Sequence, residues 1–127
     1  MMAQANPIMF QTTDWNAVPV TTHAGETGSA LWKTISYGSL RIRVVEYSPN
    51  YKADHWCKAG HILYCLEGEM TTELSDGSFI KLSKGMSYQV SDDMSSHRSY
   101  SEHGARLLIV DGGFLKTNQK HQNPWRM

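Results

Sequence analysis

The chain alternates short runs of β-branched, aromatic and aliphatic residues with turn-forming residues, and this alternation constrains its fold most. The runs RIRVVEY, HILYCL and RLLIV have the composition of β-strands. No window of about 12 residues or more sustains the 3.6-residue periodicity of an amphipathic helix. Asp76-Gly77 favours a hairpin, since both residues tolerate positive φ, and Pro49-Asn50 suits a type II turn. The pattern therefore predicts an all-β sandwich or barrel.

Predicted strands fill the middle of the chain, and the flanking segments are polar and lack sustained periodicity. The predicted strands are Leu31–Ser36, Leu40–Ser48, His61–Glu67, Met70–Ser75, Ser78–Leu82, Ser87–Val90, His97–Ser101 and Arg106–Asp111. We expect one domain over residues 1–127, with its core at about 31–115, an N-terminal arm at 1–25 and a polar C-terminal tail at 116–127.

Charge and composition argue against several classes of partner. Lys+Arg and Asp+Glu both number 12, so no basic face for nucleic acid is expected. Apolar runs such as Leu107–Val110 are too short to cross a membrane, and MMAQANPIMF lacks the regions of a secretory signal. Cys57 and Cys65 form neither a disulfide framework nor a C-x-x-C motif. A reducing, cytoplasmic setting is the simplest interpretation.

The stretch ADHWCKAGHILYCLEGE, residues 53–69, concentrates groups that can bind a metal. On an extended backbone His55 and Cys57 share one face, and a short connection through Gly60 can return His61 to the same place. Imidazole and thiolate are ligands that Zn²⁺ and similar ions prefer. From these residues alone, a metal site, a cysteine redox pair and a buried strand with polar residues all remain open.

The intervals in this stretch resemble the first motif of the cupin family: His-x-His, three or four residues, Glu, six residues, Gly. Here His55-Trp56-Cys57 is followed by three residues, then His61, six residues and Gly68. Cys57 occupies the position of the second His, and His61 occupies that of Glu. The resemblance is to small single-domain cupins of the RmlC-like superfamily that carry an Asp-His-aromatic/Cys signature.

The flanking segments extend the resemblance over most of the chain, from Gly38 to Leu115. Asn50 follows Pro49 where cupins carry Gly, and Asn is the best non-glycine occupant of a left-handed position. A looser second motif begins at Gly85 and places His97 at its histidine.

The resemblance implies an all-β, cupin-type double-stranded β-helix, which is a jelly-roll barrel of roughly eight to ten antiparallel strands. It implies one divalent transition metal, zinc first, with iron, nickel or manganese as alternatives. The implied metal ligands are His55, Cys57, His61 and His97, and the implied pocket-lining residues are Ser99, Tyr88 and Gln89. Cys65 is interpreted as a core residue.

Three hypotheses of function follow from this resemblance. The first is a metal-dependent enzyme that acts on a small organic molecule held in the barrel. The alternative is a non-catalytic metal- or ligand-binding module with a closed His3Cys site; a metal-free barrel acting by oligomerisation is a third hypothesis. Relatives of this size usually pair, so we expect a homodimer in which Ile8–Phe10 and Trp15 contribute to an exchanged arm.

The assignments in one predicted strand come from alternation, and that of His23 comes from its place in a turn or tail segment. In the predicted strand at Leu40–Ser48, the apolar set Leu40, Ile42 and Val44 is interpreted as the core-facing one. Arg43 is assigned no role, and His23 is interpreted as a solvated residue.

Overall fold

The described part of the computed structural model, residues 7–117, consists of strands joined by short turns, with single turns of 3-10 helix at Trp15–Ala17 and Gly113–Leu115. The nine strands are β1 (Val20–Ala24), β2 (Ser29–Tyr37), β3 (Leu40–Tyr47), β4 (Tyr51–Lys52), β5 (His61–Leu74), β6 (Phe79–Ser83), β7 (Ser87–Val90), β8 (His97–Ser101) and β9 (Ala105–Asp111). Within residues 7–117, neither helical turn has the length or apolar character that a membrane-spanning helix requires.

Strand β5 belongs to two sheets and closes them into a barrel. Its first part pairs with β7 and β9, giving the order β1-β2-β3-β9-β5-β7, and its last part pairs with β6 and β8, giving β4-β8-β5-β6. The change of partner lies at a register irregularity between Cys65 and Glu67. Gly68 follows with φ 77°, and a Cβ there would lie 2.4 Å from the Gly104 carbonyl oxygen. Every pairing is antiparallel, which confirms the predicted all-β class.

The structure revises several predicted elements. The two strands predicted at His61–Glu67 and Met70–Ser75 are one continuous strand, because the bulge near Gly68 bends β5 without ending it. Strands β1 and β4 were not predicted, and β1 lies within the segment interpreted as an arm. The Asp76-Gly77 hairpin is present, but only Gly77 has a positive φ, at 89°. Asn50 adopts the predicted left-handed conformation, with φ 58°.

The interior of the barrel is apolar at one end and polar at the other. Its apolar part consists of Ala30, Val45, Leu63, Cys65, Met70, Leu82, Ala105, Leu107 and Ile109, with Tyr47 beside them. The prediction for β3 was wrong: Arg43, Val45 and Tyr47 face inward, while Ile42 and Val44 lie on the outer face, half-buried. Alternation separates two sets of residues but does not say which set faces the core. Arg43 can be buried because Asp111 supplies its counter-charge.

Candidate metal centre

Three of the four predicted ligands converge at the polar end of the barrel. One side-chain ligand atom from each of Cys57, His61 and His97 lies within 4.8 Å of the other two. The Cys57 Sγ atom is 3.8 Å from Nε2 of His61. Both histidines are buried, whereas Cys57 is half-buried. The predicted spacing thus places a thiol and two imidazoles at a single point.

Backbone pairing brings these three residues together. His61 is the first residue of β5 and His97 the first of β8, so both imidazoles project from strand starts. Cys57 forms an isolated bridge with His97, in which each amide donates to the other's carbonyl at 2.8 and 3.0 Å. The connection from Cys57 to His61 passes close to β7, since a Cβ on Gly60 would lie 2.4 Å from the Val90 carbonyl oxygen. The Gly60 amide donates to Asp92 at 2.6 Å and fixes this connection.

Both buried imidazoles present an Nε2 lone pair. Nδ1 of His61 lies 3.1 Å from the Asp111 carboxylate, and Nδ1 of His97 lies 3.0 Å from the Ser95 carbonyl oxygen. These acceptors require the proton on Nδ1, which leaves Nε2 as the donor to a metal. Within residues 7–117, Nε2 of His97 is buried and has no hydrogen-bond partner. A buried unpaired nitrogen is costly, and a metal ion would satisfy it, so the group fits the implied cofactor.

The electrostatics of the cluster favour a thiolate. The neighbouring imidazole of His61, and then that of His97, lowers the pKa of Cys57 to about 5, although burial acts in the opposite direction. Burial lowers the pKa of His97, but the neighbouring Cys57 sulfur and the Ser95 carbonyl outweigh burial and raise it overall. The thiolate is the form of cysteine that binds metals. The cluster therefore favours the thiolate of Cys57, the form that binds a metal, at neutral pH.

His55 lies at the mouth of the same cavity but outside the group of three. Its side chain is 77% exposed, and Nδ1 is 2.5 Å from Oδ1 of Asp54. The contact with Asp54 leaves Nε2 free, as in the two buried histidines. His55 therefore presents a free Nε2 at the cavity but is not part of the Cys57, His61 and His97 group.

The cluster opens into a cavity of about 430 Å³. Ser99 and Tyr88 line this cavity, whereas Gln89 is exposed and lines a smaller neighbouring cavity of about 250 Å³. The Tyr88 hydroxyl is buried without a partner in the described residues, and burial raises its pKa. Cys65 is fully buried in the core, as predicted, and burial raises its pKa as well.

A cluster of charged residues that the sequence did not predict supports the metal centre. Oδ2 of Asp111, which contacts His61, also accepts hydrogen bonds from Arg43 at 2.8 Å and from Arg41 at 3.1 Å. Oδ1 accepts a further bond from Arg41 Nε at 2.9 Å. One sequence signal could have revealed this cluster: by strand alternation, Asp111 lies on the same face of β9 as the buried residues Leu107 and Ile109. An acid at an interior position of a strand calls for a cation opposite, and Arg41 is its register partner.

The other wall of the cavity is aromatic. Trp32 stacks on His23 with ring centroids 3.7 Å apart, and Tyr47 stacks on Tyr51 at 4.3 Å. All four rings line the cavity. His23 is thus part of a strand and of the cavity wall, which corrects its interpretation as a solvated residue.

Comparison with solved structures identifies the fold. An RmlC-like cupin from Shewanella frigidimarina superposes with a TM-score of 0.63 at 16% identity, over 82% of this chain and 91% of that one. A predicted oxalate decarboxylase from Thermotoga maritima gives 0.69 at 12% identity, over 80% and 98%. The FeII form of HppE gives 0.66 at 16% identity, over 84% of this chain but 63% of HppE. No protein-family model and no curated protein matches the chain.

These similarities define the class as a cupin barrel, an antiparallel jelly roll of two sheets curled around a central cavity. The chain is a small cupin-fold protein, as its resemblance to the family predicted. Its cavity carries a Cys/His/His group that can hold a metal ion.

Proposed function

We propose that the protein binds one divalent transition metal at Cys57, His61 and His97 and binds a small organic molecule in the adjoining cavity. The unpartnered Nε2 of buried His97, converging with Cys57 Sγ and His61 Nε2, is the observation that carries this proposal. His55, whose Nε2 is free at the mouth of the same cavity, is the residue that would serve as fourth ligand in a closed arrangement. A barrel of similar fold, the FeII form of HppE, supports a metal in this fold.

Zinc is the proposed metal, because a thiolate and imidazoles suit a borderline-soft ion. Iron, nickel and manganese are the alternatives. A divalent ion bound here would supply a Lewis acid next to the cavity. The chain supplies the ligands, the carboxylate that orients His61 and an aromatic wall. Free Cys57 and Cys65 thiols suit a reducing compartment, and we propose the cytoplasm on that ground.

Whether the site is catalytic depends on His55. With three ligands, the ion would keep a position open towards the cavity, as catalytic zinc sites do. With His55 as a fourth ligand, zinc would be tetrahedral and closed, which is the non-catalytic alternative. The exposure of His55 and its contact with Asp54 favour the open arrangement, and hence an enzyme acting on a small molecule.

Metal analysis of protein purified without a histidine tag tests the proposal. We expect about one equivalent of metal per chain, most of it zinc. Metal well below one equivalent in every preparation, including samples reconstituted with zinc, iron, nickel and manganese, would contradict the proposed function. Cobalt substitution separates the two arrangements: a tetrahedral spectrum that no candidate ligand changes would favour the closed, non-catalytic site.

We propose that the protein is a homodimer formed through the outer face of one sheet. Half-buried or exposed apolar side chains form two rows across three adjacent strands: Ile42, Val110 and Ile62 in one row, and Val44, Leu108 and Tyr64 in the other. A second copy presents the same apolar rows, so the face is self-complementary in chemistry. The exposed Ile8, Met9 and Phe10 add apolar surface that a partner chain would cover.

Sedimentation of variants tests the dimer. We expect the wild type to sediment as a dimer and the double variant Ile62→Lys/Tyr64→Lys to sediment as a monomer, since two charges would be buried unpaired. The matched control is Phe79→Lys, which replaces an exposed apolar residue of β6, outside this face. A monomeric wild type, or a dimeric double variant, would refute the interface.

A further inference from the structure

The wall that β3 contributes to the cavity carries two arginines inside the barrel. Both Arg41 and Arg43 line the cavity, and Arg43 is only 5% exposed. Their shared anion is Asp111, which accepts hydrogen bonds from both guanidinium groups. One carboxylate therefore balances two fixed positive charges.

The other charged groups at the cavity do not supply the missing anion. Arg98 is paired with Glu73 at 2.8 Å, and Asp54 is in contact with His55. The Cys57 thiolate belongs to the proposed metal site. Among residues 7–117 that line the cavity, the arginine pair is thus left with an excess of positive charge. The Arg41 side chain is 39% exposed, so this excess charge faces the open cavity, where a bound anion would balance it.

Arg43 also has an unused hydrogen-bond donor. Its Nη2 bonds to Asp111, but its Nε is buried and has no partner within the described residues. The guanidinium lies over the Trp32 ring at 4.4 Å, so its plane is held in place. A guanidinium with an unpartnered Nε–H can donate a charge-assisted hydrogen bond to a carboxylate oxygen.

We propose that Arg43 and Arg41 form the docking point for the carboxylate of a small organic acid bound in the barrel. The organic acid carries a compact apolar or aromatic body that packs against Trp32, Tyr47 and Tyr51. A cavity of about 430 Å³ lies in the usual range for small-molecule sites, about 300 to 1,000 Å³. This inference rests on the proposed function in using the same cavity, and it assigns the chemical class of the ligand.

Binding of simple acids to the full-length protein tests the inference, with and without metal. The probes are benzoate and propionate, their neutral analogues benzamide and propionamide, and inorganic phosphate. We expect saturable binding of benzoate to the metal-free protein, and at least tenfold weaker binding of benzamide. The Arg43 Nε–H resonance should move downfield on titration with benzoate. Equal affinity for acid and amide, or tighter binding of phosphate than of either acid, would overturn the carboxylate assignment.

Lysine variants locate the binding point. Arg43→Lys keeps the positive charge but loses the planar fork, so we expect at least tenfold weaker binding of benzoate. Arg106→Lys, on the exposed face of β9, is the matched control and should bind benzoate like the wild type. Folding of both variants is checked by circular dichroism, and the Arg43 Nε–H shift in the wild type remains informative if Arg43→Lys fails to fold.

The design separates this inference from the proposed function. Benzoate binding by metal-free protein, together with no metal in any preparation, would support the arginine site and contradict the metal proposal. Benzoate binding that requires metal and is unaffected by Arg43→Lys would place the carboxylate on the metal. That second result would overturn the arginine site and leave the proposed function intact.

Discussion

The variant His97→Ala is expected to bind a divalent metal more than about 100-fold more weakly than the wild type, because loss of residues that only orient ligands already costs about 10- to 100-fold. His97 contributes a buried Nε2 that has no other partner among the described residues, so nothing nearby can replace it. Cys57→Ser should cause a loss of similar size, since a hydroxyl does not supply the thiolate that the cluster stabilises. Competition with a chromogenic chelator measures both affinities.

His103→Ala is the matched control, since this histidine is 78% exposed and lies outside the cavity. Its metal affinity should equal that of the wild type. His55→Ala distinguishes the two coordination arrangements: a small loss is expected if His55 only flanks the site, and a loss as large as that of His97→Ala if it completes a closed one. Unchanged metal content in both His97→Ala and Cys57→Ser would remove these residues from the ligand set.

Asp111→Asn is expected to destabilise the metal-free protein by about 3 kcal/mol, the usual cost of leaving a buried charge without its partner. The asparagine keeps the shape and one acceptor oxygen but removes the charge that balances buried Arg43. Urea unfolding of metal-free samples isolates this effect from any loss of metal. We expect metal affinity to fall as well, by about 10- to 100-fold, because Asp111 orients His61.

The double variant Arg43→Met/Asp111→Leu is the control for the buried charge. Replacing both ions by apolar residues removes the unpaired charge, so its stability should recover at least part of the loss seen in Asp111→Asn. If Asp111→Asn unfolds at the same urea concentration as the wild type, the cluster contributes nothing to stability. If the double variant is the least stable of the three proteins, the cost lies in packing and not in charge.

The Asp111 carboxyl also makes the free energy of unfolding depend on pH in a defined direction. Burial alone would raise the pKa of Asp111, but the hydrogen bond from Arg41 and the charges of Arg43 and Arg41 outweigh burial and lower it. The folded state then binds fewer protons than the unfolded state, whose aspartates have a pKa near 3.9. The stabilisation is therefore fully present above about pH 5 and is lost as pH falls through the folded-state pKa. Asp111→Asn should lack this component of the acid dependence.

The strands and turns of this chain were predictable because they depend on local chemistry. Strand β3 combines β-branched residues with a following Pro49-Asn50 turn, and Asn50 adopts the left-handed conformation that its side chain tolerates. The continuity of β5 was not predictable, because Gly68 and the bulge beside it are compatible with either a turn or a bend. Strand β4 has only two residues, too few to show alternation.

The candidate metal centre was partly predictable for a related reason. Cys57, His61 and His97 could be proposed because their intervals resemble a known motif, and the backbone bridge between Cys57 and His97 realises that spacing. The arginine–aspartate cluster depends on pairing between β3 and β9, which are far apart in sequence. Local sequence does not specify which residue of a distant strand lies beside Arg43. Its role therefore follows only from the pairing that brings Asp111 next to it.

Strand β5 links the two sheets in a way that affects how the barrel opens locally. Its first residues form ladders with β7 and β9, and its last residues form ladders with β6 and β8. Neither sheet can lose this strand without breaking hydrogen bonds that belong to the other. We therefore expect amide protons of peripheral strands such as β1 and β4 to exchange by local opening, and those of the central ladders to exchange only when the whole barrel unfolds.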